Sequence, residues 1–253
     1  MKQRPYVLSI AGFDPSGGAG IAADIKTFEQ HKVYGLSVVT SVTYQHESHF
    51  EDVKWLSIQE IRQQLDVLKL QYQPRCIKIG LVESFERLVQ ILQWIKWNWP
   101  EAFVIWDPIL SASAGFPFHD PQQADLQKLI PGSIHLITPN IPEYNQLFGT
   151  QEPQEIVDKY NCALLLKGGH STTDHVTDLL YQSEESKTEI TSQKVSGDWQ
   201  KHGTGCVLSA AITAQVANEV TLADACEKAH FYVKQFISSD EGLLGFHSNP
   251  DEL

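Results

Sequence analysis

The sequence predicts an α/β protein in which a mostly parallel central sheet is covered by helices on both faces. Short apolar runs typical of strands alternate along the chain with segments whose apolar residues recur at helical spacing. These runs are apolar on both faces, as expected of strands that are buried on both sides of a sheet. No Pro-, Gly- or Ser-rich linker divides the 253 residues, so we expect one domain over residues 1–253.

The strand candidates are short and rich in β-branched and other apolar residues. In chain order they are Tyr6–Ile10, Leu36–Val42, Cys76–Ile79, Phe103–Trp106, Ile134–Ile137 and Ala163–Leu166. The later segment 176–195, with the sequence VTDLLYQSEESKTEITSQKV, predicts an antiparallel excursion at one edge of the sheet.

Helices are predicted between the strands, where apolar residues stand three or four positions apart. The early patterns run over Ile21–Phe28, Ile58–Leu68 and Phe85–Ile95, and Ser84 is the expected N-cap of the third. Asp120 followed by Pro121 predicts the start of a fourth helix. Two long patterns, Gly203–Asn218 and Leu222–Ser238, come last.

On the third helix, Trp94 and Trp97 are predicted to point away from the apolar stripe of Phe85–Leu92. Such residues are either scattered exposed aromatics or a contact between subunits, and we favour the contact, hence a homodimer.

Composition and charge narrow the functional class. The chain is 42% hydrophobic and 20% charged, as in an ordinary soluble globular protein. Its net charge of −12 lacks the excess of positive charge that is typical of proteins that bind nucleic acid. The four cysteines form no CxxC pair, so we expect reduced thiols without a disulfide framework or zinc site. The N-terminal apolar run is too short for a signal peptide or a membrane span, and a cytoplasmic location is expected.

The loop after the first strand is rich in glycine, in the region where open α/β sheets bind ligands. It reads AGFDPSGGAGIAAD, in which Gly12, Gly17, Gly18 and Gly20 would let a ligand approach the backbone closely. Asp24 lies on the inward stripe of the next helix, where it would face the pocket or only stabilise the helix dipole. The spacing is neither a Rossmann fingerprint nor a Walker A motif.

The segment KHGTGCVLSAA, residues 201–211, carries the most specific signal. Gly203 and Gly205 flank Thr204 directly before a helix, whose free backbone N–H groups would form an anion hole for a phosphoryl group. Cys206 falls in the first turn, where the helix N-terminus lowers a thiol pKa. Cys206 is therefore a thiolate, a hydrogen-bonding partner of a substrate hydroxyl, or a small residue packed under a tight turn.

Five motifs occur in order along nearly the whole chain: AGFDPSGGAGIAADIKTF, KIGLVES, TPNIPE, LLLKGGH and HGTGC. Together they resemble the hydroxymethylpyrimidine/phosphomethylpyrimidine kinases of thiamine biosynthesis, in the ribokinase-like superfamily. The resemblance implies a ribokinase-like three-layer αβα fold, ATP and Mg²⁺ as cofactors, and transfer of a phosphoryl group to the hydroxymethyl group of a pyrimidine. Related kinases of the same fold act on pyridoxal or pyridoxine, and this alternative stays open.

The same resemblance implies roles for individual residues. The substrate would contact Gly12, Asp24 and Gln45, with Leu81 and Ile109 lining the ring pocket. The catalytic turn would consist of Gly203, Gly205 and Cys206. Nucleotide and metal would be held by Asp107, Asn140, Glu143, Lys167 and Thr204, with Asp107 and Glu143 as acids for Mg²⁺. The alternative for each acid is a loop residue that caps the next helix.

One segment departs from the family pattern. Where the family usually has a Lys in a segment like AKSG, this chain reads SASAG, and Ser113 takes the Lys position. A missing cation would weaken contact with a phosphate, so a second phosphorylation, of the monophosphate, is less strongly expected than the first. A non-catalytic ligand-binding protein of the same fold and a dinucleotide-dependent oxidoreductase are the remaining alternatives.

His46 and His49 lie after Gln45 in HESH, with no third metal ligand nearby. We expect a lid or a solvated turn rather than a metal site.

Overall fold

The computed structural model describes residues 4–111, 118, 131–169, 174–183, 186–195 and 201–249. In these residues one mixed sheet has the strand order β3-β2-β1-β4-β5-β6-β7-β8-β9. The strands are β1 (Tyr6–Phe13), β2 (Tyr34–His46), β3 (His49–Trp55), β4 (Cys76–Ile79), β5 (Phe103–Trp106), β6 (Leu136–Ile137), β7 (Ala163–Leu166), β8 (His175–Tyr181) and β9 (Lys187–Gln193). The helices are α1 (Gly20–Gln30), α2 (Ile58–Leu68), α3 (Phe85–Asn98), α4 (Ile141–Phe148), α5 (Pro153–Tyr160), α6 (Thr204–Ala217) and α7 (Leu222–Ser238).

The centre of the sheet is parallel and both of its edges are antiparallel. The strands β2, β1, β4, β5, β6 and β7 pair in parallel. The strands β8 and β9 pair antiparallel at one edge, which confirms the excursion predicted for residues 176–195. The α/β fold class is confirmed, whereas the assignment of residues 1–253 to one domain stays a prediction.

At the other edge of the sheet, β2 is longer than predicted and its partner β3 was not predicted. The strand predicted for Leu36–Val42 runs from Tyr34 to His46, and β3 pairs antiparallel with it. The HESH segment is the turn of this hairpin, in which the rings of His46 and His49 are 5.7 Å apart. β6 is shorter than predicted and begins at Leu136.

The prediction for Trp94 is wrong and the prediction for Trp97 is confirmed. The Trp94 side chain is buried, its Nε1 donates a hydrogen bond to Asp66 Oδ1 at 3.2 Å, and its ring packs edge-on against Trp99. Trp97 is 86% exposed. The two residues therefore do not form a paired surface. Ser84 caps α3 as expected and accepts a hydrogen bond from the Arg87 backbone N–H.

Helix α6 runs through the interior of the molecule. Ten of its 14 residues are buried, from Cys206 to Ala217, and it packs against α1, α7, β1 and β4. A helix that is apolar all round is typical of a buried position. Because α6 is fixed along most of its length, its first turn is held in a defined place relative to the sheet. Within the described residues, no helix is long and apolar enough to cross a membrane.

Candidate active site

Two glycine-rich segments meet beyond the carboxyl end of β1. His202 Nε2 and Asp14 Oδ2 are 2.9 Å apart, and both side chains are buried. Asp14 also accepts hydrogen bonds from the backbone N–H groups of Ser16 and Ala19, so it organises the loop between β1 and α1. Since His202 directly precedes Gly203, the pair joins this loop to the turn before α6.

Gly203 fits its place only because it lacks a side chain. Its φ is +79°, in the left-handed region that favours glycine. A Cβ atom there would lie 2.0 Å from the carbonyl oxygen of Gly18. The turn before α6 and the loop after β1 thus pack backbone against backbone.

A lysine and two acids form a cluster beside the ends of the central strands, in which Asp107 is buried and Lys167 and Glu143 are partly buried. Lys167 Nζ lies 2.8 Å from Asp107 Oδ1 and 3.8 Å from Glu143 Oε2. Asp107 directly follows β5, and Lys167 directly follows β7. Burial acts to raise the pKa of Asp107, but the positive charges of Lys167 and Lys78 outweigh it and lower this pKa. Asp107 is therefore a carboxylate at neutral pH.

The turn before α6 lies directly beside this cluster. Ser209 Oγ, in the same part of α6, donates to Asp107 Oδ2 at 3.0 Å. A Cβ atom added to Gly205 would lie 3.4 Å from Lys167 Nζ and 4.0 Å from Asp107 Oδ2. The start of α6 and the acidic strand ends therefore share one site, as the sequence predicts.

Asn140 and Glu143 have the capping role that was the alternative to metal binding. The Asn140 side chain accepts from the Glu143 N–H, and Glu143 Oε2 accepts from the Asn140 N–H, each at 2.8 Å. This capping box starts α4 and fixes the Glu143 carboxyl near Lys167. Burial raises the pKa of Glu143, and the nearby charge of Asp107 raises it further.

Asp24 does not face an open pocket. Its carboxyl group is fully buried and pairs with Lys78 Nζ, while its Oδ2 accepts from Ser9 Oγ at 2.5 Å. The inward direction predicted for Asp24 is confirmed, but its partner is a lysine of β4 below the site. A direct contact between Asp24 and a substrate stays a prediction.

The expectation of a lowered thiol pKa for Cys206 is wrong. Cys206 is buried, and burial raises the pKa of its thiol to about 11, although the nearby charge of Lys78 acts in the opposite direction. Burial disfavours the charged form of any group and here outweighs the helix N-terminus. Cys206 is therefore a neutral thiol in the resting protein.

The residues predicted to line a ring pocket lie at the ends of β1, β2, β4 and β5. A Cβ atom on Gly12 would be 3.1 Å from Leu81 Cδ2, and one on Gly80 would be 3.7 Å from Ile109 Cδ1. Gln45 is half-buried in β2, close to the hairpin turn. These residues border the strand ends as expected, and their contact with a substrate stays a prediction.

Ser113 and the predicted helix start at Asp120 and Pro121 lie outside the described residues. In the part of the chain that the structure describes, no three His, Cys, Asp or Glu side chains form a group able to hold a metal ion.

Sequence reasoning missed Lys78 and Ser209, which both contact site residues. Lys78 stands in the strand CIKI, all of whose residues are buried. A lysine flanked by buried apolar residues must find an anionic partner, and this signal could have identified it. Ser209 gives no comparable signal, because a serine inside a helix is common.

Comparisons with known proteins agree with this geometry. A family model described as phosphomethylpyrimidine kinase matches residues 14–250. A hydroxymethylpyrimidine/phosphomethylpyrimidine kinase of Bacillus subtilis is 32% identical over 251 residues, covering 95% of this chain and 92% of the relative.

Two solved structures are also similar. Pyridoxal kinase from Staphylococcus aureus in complex with ADP aligns with a TM-score of 0.85 at 25% identity, over 98% of this chain and 94% of that one. Phosphomethylpyrimidine kinase from Clostridium difficile aligns with a TM-score of 0.74 at 28% identity, over 92% and 99% of the two chains. The predicted ribokinase-like fold is thereby confirmed.

Proposed function

The chain belongs to the phosphomethylpyrimidine kinase family, and we propose that it transfers the terminal phosphoryl group of ATP to the hydroxymethyl group of 4-amino-5-hydroxymethyl-2-methylpyrimidine. This is the hydroxymethylpyrimidine kinase step of thiamine biosynthesis. The observation that carries the proposal is the position of Gly205. It lies in the first turn of α6 and faces the Lys167–Asp107 pair.

That arrangement suits a transferring phosphoryl group. The first backbone N–H groups of a helix have no carbonyl partner within the helix, and they bind anions. Lys167 adds a cation beside these amides, since its pKa is raised by Asp107 and Glu143 in spite of burial. Phosphoryl transfer needs positioning and charge stabilisation more than covalent chemistry, and these groups supply both.

In the proposed reaction, the substrate oxygen forms a bond to the γ-phosphorus while the bond from that phosphorus to the bridging oxygen breaks. ADP leaves with the electron pair, and the hydroxyl proton is released to solvent as the phosphate ester forms. Lys167, Thr204 and the amides of Gly205 and Cys206 compensate charge on the phosphoryl oxygens. A loose transition state requires no early removal of the hydroxyl proton.

Cys206 fits the role of a hydrogen-bonding partner of the acceptor hydroxyl better than that of a base. Its raised pKa keeps the thiol protonated at neutral pH. A neutral thiol can orient the hydroxyl group but removes its proton poorly.

The acids fit Mg²⁺ as far as charge and donor type are concerned. Asp107 and Glu143 offer the oxygen donors that Mg²⁺ prefers, and a bound cation would add its positive charge to that of Lys167 beside the two acids. Bound Mg²⁺ would neutralise charge on the nucleotide phosphates. Asn140 holds Glu143 in place through the capping box.

Substrate preference is tested by incubating the purified protein with ATP and Mg²⁺ and separating the products by anion exchange and mass spectrometry. We expect a monophosphate from the hydroxymethylpyrimidine, with kcat/KM at least about 10-fold above that for pyridoxal or pyridoxine. Lys167→Met, which removes the cation of the site, is the control for contaminating kinases.

The reverse preference would assign the chain to vitamin B6 phosphorylation, the alternative that the TM-score of 0.85 to a pyridoxal kinase favours. No ADP release with any of these rings would leave only a ligand-binding role. Appearance of the diphosphate in the same assay reports the second phosphorylation, which Ser113 at the usual Lys position makes less strongly expected.

The homodimer and the cytoplasmic location also stay proposals. The exposed indole of Trp97 supports a subunit contact, and the free state of the four cysteines supports a reducing compartment. Light scattering of the wild type and of Trp97→Glu tests the dimer.

A further inference from the structure

Lys78 is a fully buried lysine in the middle of the sheet. It lies in β4 between Ile77 and Ile79, opposite Ser9 of β1 and Ile105 of β5. Burying a charge is costly unless a well-placed partner compensates the loss of water. An apolar residue would satisfy the fold at this position, so the contacts of the cation indicate its role.

Two groups receive hydrogen bonds from Lys78 Nζ. One is Asp24 Oδ1, and the other is the backbone carbonyl oxygen of Cys206, at 3.2 Å. Burial would lower the pKa of Lys78, but the Asp24 carboxylate outweighs it and raises this pKa, so the amine stays protonated. The cation is held by α1 and β4 and points at the first turn of α6.

The start of α6 is therefore held from below at two points, one in its first turn and one in its second. Lys78 holds the carbonyl group of Cys206, and Asp107 accepts from Ser209 Oγ at 3.0 Å. The two supporting residues are close because Lys78 lies in β4, Asp107 directly follows β5, and these strands are neighbours in the sheet. Their contacts set the height of the Gly205 and Cys206 amides above the strand ends.

We propose that Lys78 is a positioning residue for phosphoryl transfer: held by Asp24, it fixes the Cys206 carbonyl and with it the anion-binding turn and the thiol. The proposal rests on the kinase function proposed above. It differs from a purely structural reading, in which the Lys78–Asp24 pair only contributes to folding.

The two readings are separated by removing both charges together. Lys78→Met alone leaves the Asp24 carboxylate buried without a partner and is expected to destabilise the protein. The double variant Lys78→Met/Asp24→Asn removes both charges at nearly constant volume, so stability is largely recovered. Ser9→Ala is the matched control, because it deletes the other hydrogen bond to Asp24 and leaves the contact between Lys78 and Cys206.

For the double variant we expect kcat to fall about 10²-fold, the order of loss caused by a misplacement near 1 Å, with KM for both substrates within about threefold of wild type. Thermal unfolding should stay close to that of wild type, and Ser9→Ala should keep the wild-type kcat. Asp24→Asn alone retains the amine donor to Cys206 and should lose less kcat than the double variant.

Wild-type kcat in a folded double variant would overturn the proposal, and so would a loss confined to KM. Equal kcat loss in Asp24→Asn and the double variant would assign the effect to Asp24 instead. Failure of the kinase function itself is distinguishable, because the wild-type protein would then turn over no substrate in the same assay.

Discussion

Replacing Gly205 with alanine should raise stability and abolish most of the activity. Gly205 is the second residue of α6 and is not among the described glycines with positive φ. The added Cβ atom would be 3.4 Å from Lys167 Nζ and 4.0 Å from Asp107 Oδ2, distances without a severe clash. The folded protein can therefore accept the methyl group without moving its backbone.

The gain in stability follows from helix propensity. Alanine is favoured over glycine inside a helix by about 1 kcal/mol, and by less in the first turn. For a protein of this length, about 1 kcal/mol corresponds to an increase in Tm of about 2–4 °C. Differential scanning calorimetry without ligands should show an increase of up to that size.

The loss of activity follows from the position of the methyl group. It would occupy the space between the first amides of α6 and the Lys167–Asp107 pair, where we place the moving phosphoryl group. Loss of a single donor in such an anion hole lowers kcat by about 10²–10³-fold. A coupled assay of ADP release should show a decrease of at least this order.

Gly203→Ala gives the matched contrast in the same turn. Its φ of +79° and a Cβ position 2.0 Å from the Gly18 oxygen predict a clear loss of Tm. A Gly205→Ala protein that keeps wild-type kcat at raised or equal Tm would refute our assignment of the phosphoryl site.

Three further outcomes are expected. Cys206→Ala should lower kcat about 10²-fold while Cys206→Ser, which keeps a hydrogen-bonding group, stays within about 10-fold of wild type; equal losses in the two variants would exclude the hydrogen-bonding role. Hydrogen bonds from His202 and Ser16 lower the pKa of Asp14 although burial acts to raise it. The stability gained from Asp14 is thus complete above its unfolded pKa of about 3.9 and is lost as the pH falls through the lower folded value. The free energy of unfolding, measured with urea, should therefore fall more steeply from about pH 6 to pH 3 in wild type than in Asp14→Asn. An equal pH dependence of this free energy in the two proteins would contradict the prediction. Lys201→Met should cost about 2–4 kcal/mol of unfolding free energy, because the buried Lys201 Nζ donates to the backbone carbonyls of Asp240 and Gly242, and an unchanged Tm would count against it.

The parallel core of the fold could be predicted from the sequence because its strands are buried on both faces and read as continuous apolar runs. The β2–β3 hairpin could not. β3 has the sequence HFEDVKW and no buried residue, so it lacks the continuous apolar run that marks the central strands. Its pairing with β2 comes from backbone hydrogen bonds, which leave little trace in composition.

The glycine turn and the acids of the site could be predicted because each belongs to a local pattern at a strand end. The state of Cys206 could not be predicted locally. A helix N-terminus favours a thiolate, but the outcome depends on how deeply the helix start is buried, and this is set by α1, α7 and the sheet together. The same holds for Glu143, whose pKa depends on burial and on the charges of Lys167 and Asp107, which are distant in sequence.

Asp24 and Lys78 show most clearly what cannot be predicted from the sequence alone. Helical periodicity gives the direction of the Asp24 side chain correctly, but a direction does not distinguish a pocket from the layer beneath it. That distinction is decided by Lys78, 54 residues away in sequence, whose amine fills the space in front of the carboxylate. Because the same amine reaches the carbonyl of Cys206, Asp24 also supports the turn that we expect to bind phosphate, and its contact with substrate stays a prediction.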